Sequence, residues 1–201
     1  MNTTVSVIIK IVLGAVIAYL AYTLYAIIQE PIQFEKLKEK RYERTIERLG
    51  NIRDAQKAHR DVYNEFAKEL DQLIAFVDTG RKPIVQRKDS TFKYYNKVYQ
   101  QEMDKDTIIT KILGYESVKT SVFGEDFDLN KLRYIPYTDG HTFTMGAGKI
   151  EVNEVIVPVF EAKAPDSLIF EDVLRKYAQY IEEDHALTVG SLTEPTLSGN
   201  W

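Results

Sequence analysis

The chain of 201 residues contains no cysteine. That excludes disulfides, thiolate-ligated zinc, iron–sulfur clusters, a thiol nucleophile and a thioether-linked lipid. It is compatible with an oxidising compartment without requiring one. A basic excess is also missing: 26 Lys and Arg stand against 30 Asp and Glu, a formal net charge of −4. Nucleic-acid binding rests on a basic face, so no nucleic-acid partner is expected. Histidine is scarce, and His59, His141 and His185 stand at no metal-ligand spacing. No metal and no cofactor is expected. There is no internal repeat and no low-complexity block.

What is present is one long apolar run. Residues 5–28 read VSVIIKIVLGAVIAYLAYTLYAII, with Lys10 as the single charge. About 20 apolar residues at roughly 1.5 Å each match a hydrocarbon core of roughly 30 Å. A cleaved signal peptide needs a basic start, a shorter centre and a small-x-small site. Here no Lys or Arg precedes Lys10, and Gln29, Glu30 and Pro31 follow without such a site. The pattern therefore predicts a permanent single-pass anchor, with the lipid bilayer as its first partner. Lys10 is placed to snorkel to the interface, and Pro31 is where a helix leaving the membrane would kink or restart.

Tyr19, Tyr22 and Tyr25 lie three apart and share a helix face. Gly14, Ala15, Ala18 and Ala21 are small enough for close helix approach. Tyr22 and Tyr25 suit an interfacial aromatic belt, while the deeper Tyr19 suits a partner helix. Orientation is read from two opposed signals. Lys36, Lys38, Lys40 and Arg41 follow the span and favour a cytoplasmic domain. Glu30 and Glu35 lead the exit, and an anchored stalk suits an envelope component. The expectation is a bacterial inner-membrane protein whose large domain is periplasmic or extracellular.

Residues 31–80 carry a helical pattern. Tyr42, Leu49, Gln56, Tyr63, Leu70 and Val77 recur every seven residues, with Thr45, Ile52, His59, Phe66 and Leu73 three later. This a/d-like stripe predicts one long amphipathic helix. Mixed charges such as Glu35 with Lys38 support its first half, and Gly50-Asn51 is its weakest point. The first half reads as an exposed stalk or coiled coil and the more apolar second half as packed on a head. Tyr42, Leu49 and Ile52 are accordingly expected, with the anchor tyrosines, to contact a protein partner or a second copy. The alternative is a helix lying on its own sheet throughout. Under the stalk reading Leu70→Ala is expected to cost more stability than Leu49→Ala.

Gly80 is expected to cap this helix, with Pro83 beyond it. Residues 81–186 then read as an antiparallel α+β head. Residues 92–100 are aromatic-rich and 107–113 β-branched. Residues 132–137 and 142–145 flank Thr138-Asp139-Gly140-His141, a hairpin signal. Residues 151–160 alternate as one strand, with Pro158 marking an edge or bulge. Residues 167–182 predict a short helix capped by Asp166 or Ser167, with Val173, Leu174, Tyr177 and Ile181 inward. Residues 187–201 read as an extended tail. The fold class expected is α+β: a transmembrane helix continuing into an amphipathic helix, then an antiparallel β-meander packed on it.

Few motifs point to chemistry. Asp126, Asp128 and Asn130 begin like a calcium loop, but Lys131 replaces the required Gly and Tyr137 the terminal Glu. A solvated Asx turn is the expected role. Gly146-Ala147-Gly148 is a lone G-x-G, expected as a bulge. Ser191 lacks a nucleophile-elbow pattern. Asp71, Asp78 and the run Glu182-Glu183-Asp184 are expected at a solvated surface. An enzyme or ligand-binding domain would need His141, Asp126, Asp128 or Glu161 to meet in one pocket.

The layout is similar to that of type IV pilins: an apolar N-terminal helix, an amphipathic continuation, then an antiparallel sheet. The pilin processing marks are missing, and no acid precedes Glu30. More closely, the chain resembles a group of uncharacterised single-pass membrane proteins of Bacteroidetes-type bacteria. The carrying segments are NIRDAQKA at 51–58, FVDTG at 76–80, LRYIPY at 132–137, VPVFEA at 157–162, VGSLT at 189–193 and the final GNW at 199–201. The resemblance implies a lineage and a shared fold but no activity. The function expected is a non-enzymatic, membrane-anchored structural or assembly component of a bacterial envelope complex. A pilin-like fibre subunit and a membrane-tethered enzyme or ligand-binding domain are the alternatives.

Overall fold

The computed structural model describes residues 3–96, 100–182 and 184–201. Outside the described residues lie Met1 and Asn2 of the N-terminal tail, residues 97–99 of the expected 92–100 strand, and Glu183 of the acidic run. The architecture is α+β, a long N-terminal helix followed by antiparallel sheets.

Helix α1 runs unbroken from Thr3–Tyr63. It passes through Pro31, although an interior proline typically costs about 3 kcal/mol. It also passes through Gly50 and Asn51. Leu49 and Ile52 on either side are fully buried, and that packing outweighs a glycine penalty of about 1 kcal/mol.

The expected continuous helix over 31–80 divides instead at Asn64. Asn64 takes the left-handed φ of 58° that ends a helix, and its N–H donates to the Arg60 carbonyl at 2.7 Å. Residues 64–69 then lead into α2 (Leu70–Thr79), which buries Leu73, Phe76 and Val77. The polar residues of the α1 stripe hold this linker. Gln56 Nε2 donates to the Ala67 carbonyl at 2.9 Å, and the Ala67 N–H returns a bond to Gln56 Oε1 at 2.8 Å. His59 Nδ1 donates to the Glu65 carbonyl at 2.7 Å. Phe66 and Ala67 are the buried residues of this linker, and the Ala67 backbone needs those partners, because an unsatisfied buried backbone group costs about 1–3 kcal/mol. Gly80 caps α2 as expected. Its backbone is extended, so closeness dictates the residue: a Cβ there would stand 2.3 Å from the Phe76 carbonyl oxygen.

Two sheets follow. Strands β1 (Arg81–Asn96) and β2 (Gln101–Ser117) form a long antiparallel ribbon with one irregularity at Ile84/Val85. Strands β3 (Thr144–Val152), β4 (Val155–Pro165) and β5 (Ala186–Gly190) form a second antiparallel sheet in the order β3-β4-β5. The single strand expected over 151–160 is split by a turn at Asn153 and Glu154, with φ of 52° and 66°. Consecutive positive φ values are those of a two-residue hairpin turn. Pro158 pairs with Lys149 on β3, whereas β5 first pairs at Glu161. So β4 is an edge where its proline stands. Gly146, Ala147 and Gly148 pair in regular register, without the expected bulge.

The connections are short helices: α3 (Val118–Val122), α4 (Asn130–Arg133), α5 (Asp166–Ile169) and α6 (Leu174–Tyr177). The strand expected over 132–137 is therefore part helix. The reversal at 138–141 survives as one bridge, Tyr134 to Thr142, with Gly140 at φ 87°. The Asx turn is present, Asp128 Oδ1 accepting from the Asn130 N–H at 2.9 Å.

The single helix expected over 167–182 is a succession of α and 3₁₀ turns. Its N-cap is Pro165, with no side-chain cap. Asp166 is occupied elsewhere, and the Ile169 carbonyl accepts from Arg41 rather than from a following turn. Tyr177 and Ile181 are buried as expected, while Leu174 is exposed.

The tail expected from residue 187 begins instead as β5, with Leu187 and Val189 buried. The chain then folds back. Gly199 bridges Val189, and Asn200 bonds to Thr188 and Ala186. Gly190 makes the bend at φ 74°, where a Cβ would lie 2.3 Å from the Phe160 carbonyl oxygen.

The core lies between α1, α2 and the second sheet. From α1 it takes Phe34, Leu49, Ile52, Ala55 and Ala58, and from the sheet Phe160, Ala162, Ala164, Leu187 and Val189. Alternation of Phe160, Ala162 and Ala164 turns one face of β4 inward, and the alanines let the helix approach closely.

Candidate functional site

Two surfaces are apolar and uncovered by the chain itself. The first is the N-terminal part of α1. Its apolar window, within Val7–Tyr63, is long enough to cross a bilayer, and none of it is buried. Tyr19, Tyr22 and Tyr25 are each more than 60 % exposed, at 66, 69 and 63 %. The Thr23 hydroxyl is satisfied within the helix, donating to the Leu20 carbonyl at 2.9 Å.

Head packing begins one turn beyond Pro31. Phe34 is 4 % exposed and enters a collar of rings, 5.4 Å from Phe170, 5.2 Å from Tyr177 and 5.6 Å from Tyr180. Two turns further on, a polar junction fixes the helix. Arg41 is buried and clamps Asp172 with both terminal nitrogens, at 2.6 and 2.8 Å, while Nη1 also reaches the Ile169 carbonyl at 2.7 Å. A fork-to-fork pair of this kind sets angle as well as distance. Its hydrogen bonds hold the Asp172 carboxyl below its ordinary range.

Beside it, the Tyr42 hydroxyl donates to Asp166 Oδ2 at 2.5 Å. His185 Nδ1 lies 2.9 Å from that oxygen and 3.2 Å from the Tyr42 hydroxyl. Burial, and then the hydrogen bond to the Asp166 carboxylate, raises the Tyr42 phenol above its ordinary value. One residue from α1, one from the start of α5 and one preceding β5 thus meet at a single oxygen. The junction ties the helix emerging from the apolar segment to the edge of the sheet.

The second uncovered surface is the β1–β2 ribbon. Among the described residues neither of its outer edges pairs with another strand. Ile108, Ile109, Ile112, Leu113 and Tyr115 on β2 are each more than half exposed. Tyr95 and Phe92 are exposed on β1. The ribbon touches the rest of the chain at its root, through α1, α2 and α3, with Lys82 of β1 3.7 Å from Asp61 of α1.

Of the residues expected to contact a partner, the three anchor tyrosines are exposed, Tyr42 is in the junction, and Leu49 and Ile52 are at 0 % exposure. The last two meet the chain's own head, because the sheet, α2 and the short helices after β4 close over α1 from Phe34 onward. The stalk half of that expectation is therefore replaced by its alternative, a helix lying on its own head. His141, Asp128 and Glu161 are engaged separately: His141 with Glu171 at 3.1 Å, Asp128 with the Asn130 N–H, and Glu161 with Lys163 at 2.7 Å. Among the described residues no group of three or more His, Cys, Asp or Glu could hold a metal.

Sequence reasoning missed the Arg41–Asp172 and Tyr42–Asp166–His185 contacts, in which Arg41 and Tyr42 lie more than 120 residues from their partners. The one available signal was Arg41 beside Tyr42, the first residue of a stripe that carries no Asp, Glu, Lys or Arg. Comparison with protein-family models, with curated proteins and with solved structures finds no match.

Proposed function

We propose that this chain is a single-pass, membrane-anchored structural or assembly component of a bacterial envelope complex, acting by contact rather than by chemistry. Uncovered apolar surface carries this reading. A soluble monomer rarely leaves a contiguous apolar patch of more than a few hundred Å² in water, and this chain leaves a bilayer-length helix bare. Beyond Phe34 the helix is held at a fixed angle by the aromatic collar and the Arg41–Asp172 clamp. The part of α1 from Phe34 onward is therefore fixed on the head, which suits a scaffold. The large domain is placed on the periplasmic or extracellular side of the inner membrane. Glu30 and Glu35 lead the exit from the apolar segment and are the argument for that side, while Lys36, Lys38, Lys40 and Arg41 argue against it.

Chemical crosslinking of the full chain in native membranes tests the assembly role. Discrete crosslinked species support it, and a strictly monomeric, partnerless chain overturns it. Protease treatment of spheroplasts tests the side: the head is expected to be cleaved, and a protected head reverses the orientation.

A further inference from the structure

The segment between β4 and β5 dips along α1 and returns. Asp172 meets Arg41, Tyr177 and Tyr180 then meet Phe34, and His185 comes back to Tyr42. The point nearest the apolar run is therefore α6 with the 3₁₀ turn Ala178–Tyr180 behind it. Because α1 is unbroken through Pro31, position along it converts directly to distance. Phe34 stands six residues past Ile28, the end of the apolar run, which is about 9 Å at the helical rise. The headgroup layer outside each face of the hydrocarbon is roughly 5–8 Å deep. A long side chain on α6 spans the difference.

The residues found there suit that layer. Leu174 is 38 % exposed, and Arg175 and Lys176 are exposed beside it. The Lys176 ammonium lies 4.7 Å from the centre of the Tyr177 ring. Tyr177 first, and the Glu30 carboxylate as a lesser cause, raise that ammonium above its ordinary value. Lys176 thus stands near Glu30, the first charge past the apolar run. Two acids of the segment are engaged by the head itself, Asp172 by Arg41 and Glu171 by His141. Glu182 is on the returning limb, near enough to act on the Tyr42 phenol.

We infer that the α6 turn is a second membrane contact, seated in the headgroup layer of the bilayer that holds α1, with Arg175 and Lys176 against lipid phosphates. This rests on the reading of α1 as a membrane span. It extends that reading, because the head is then docked on the bilayer instead of being held off by a free stalk. Continuity assigns lipid as the occupant: the bare face of α1 runs through Ile28 and Ile32, both exposed, to the level of the collar. Lysine and arginine just outside a span are drawn to anionic headgroups, and tyrosine rings favour the same level. The contact depends on distance along α1 alone, so it holds on either side of the membrane.

The absence of cysteine makes the test clean. Leu13→Cys, Leu174→Cys, Lys176→Cys and Lys149→Cys are made separately in the full chain, and each takes one nitroxide label. The chains are reconstituted in phosphatidylcholine and phosphatidylglycerol liposomes that include a nickel-chelating lipid. Lys149 is the distant control: it lies 3.5 Å from Glu65, past the end of α1, and so about 50 Å beyond Ile28. Relaxation by the lipid-borne nickel is expected to be severalfold stronger at positions 174 and 176 than at 149. Equal relaxation at all three overturns the seating. The label at position 13 separates the two ideas, since inside the bilayer it is relaxed by oxygen and shielded from a water-soluble nickel complex. A buried position 13 with 174 and 176 no closer to lipid than 149 rejects the seating alone. A position 13 open to the soluble complex rejects the span as well.

Discussion

The two sheets of this chain are built from similar residue types and meet opposite fates. The β3–β4–β5 sheet turns Phe160, Ala162 and Ala164 into the core and is closed by α1. The β1–β2 ribbon carries Ile108, Ile109, Ile112 and Tyr115 and buries none of them. The difference is what lies opposite. Small residues on β4 let a helix approach, whereas the ribbon meets the helices only at its root and its apolar side chains stay exposed. Apolar content alone therefore does not mark a core. Burial needs a complementary partner within the chain, and the ribbon and the bare part of α1 have none among the described residues.

The comparison is broken most sharply by substitution. Leu49→Ala and Ile52→Ala each remove a fully buried side chain from the closed half. They are expected to cost about 2–5 kcal/mol in denaturation of the full chain in detergent. Ile112→Ala on the ribbon is expected to change stability by no more than about 0.5 kcal/mol in a detergent-solubilised monomer. Leu70→Ala, at a half-buried position, is expected to cost less than Leu49→Ala. That reverses the order expected from a stalk followed by a packed half. Equal shifts at Leu49 and Ile112 would erase the distinction between the two regions.

The junction gives smaller effects with a pH signature. Tyr42→Phe deletes a hydrogen bond to a carboxylate and is expected to cost about 1.5–3 kcal/mol. The Tyr42 pKa is raised above its ordinary 10.0. Its contribution is fully present below that value and is lost as pH rises beyond it, because the unfolded phenol releases its proton first. Stability measured against pH should fall above about 10 in the wild type and fall less in Tyr42→Phe. Asp172→Asn acts on the acid side. The Asp172 pKa is lowered from 3.8 by the Arg41 hydrogen bonds. Its contribution is present above that value and lost as pH falls below it. The Asp172 side chain is 56 % exposed, so solvent screening limits the cost to about 1 kcal/mol. The acid limb should be shallower in Asp172→Asn.

Part of this arrangement was legible in the sequence. The apolar run, the heptad stripe, the Gly80 stop and the edge role of Pro158 are local patterns, each set by residues within a few turns. The stripe alone did not say what would cover it, since a/d spacing serves a coiled coil and a sheet-packed helix equally. Nor does the stripe say why Gln56 and His59 stand in it: they bond the linker that follows α1. The break at Asn64 was missed in favour of Gly50-Asn51. Propensity favours the glycine, but Leu49 and Ile52 hold the helix together there. The junction was illegible for a different reason: Asp166 and His185 reach Tyr42 only once β4 and β5 have paired.

The central claim is that surface left bare by the chain is covered from outside, first by lipid on α1. Flotation of the full chain with liposomes in alkaline carbonate tests it most directly. The wild type is expected to rise with the lipid, while a variant carrying Leu13→Lys, Val16→Lys and Leu20→Lys stays at the bottom with its head folded. A wild-type chain that remains folded and soluble at the bottom of the gradient would contradict the account.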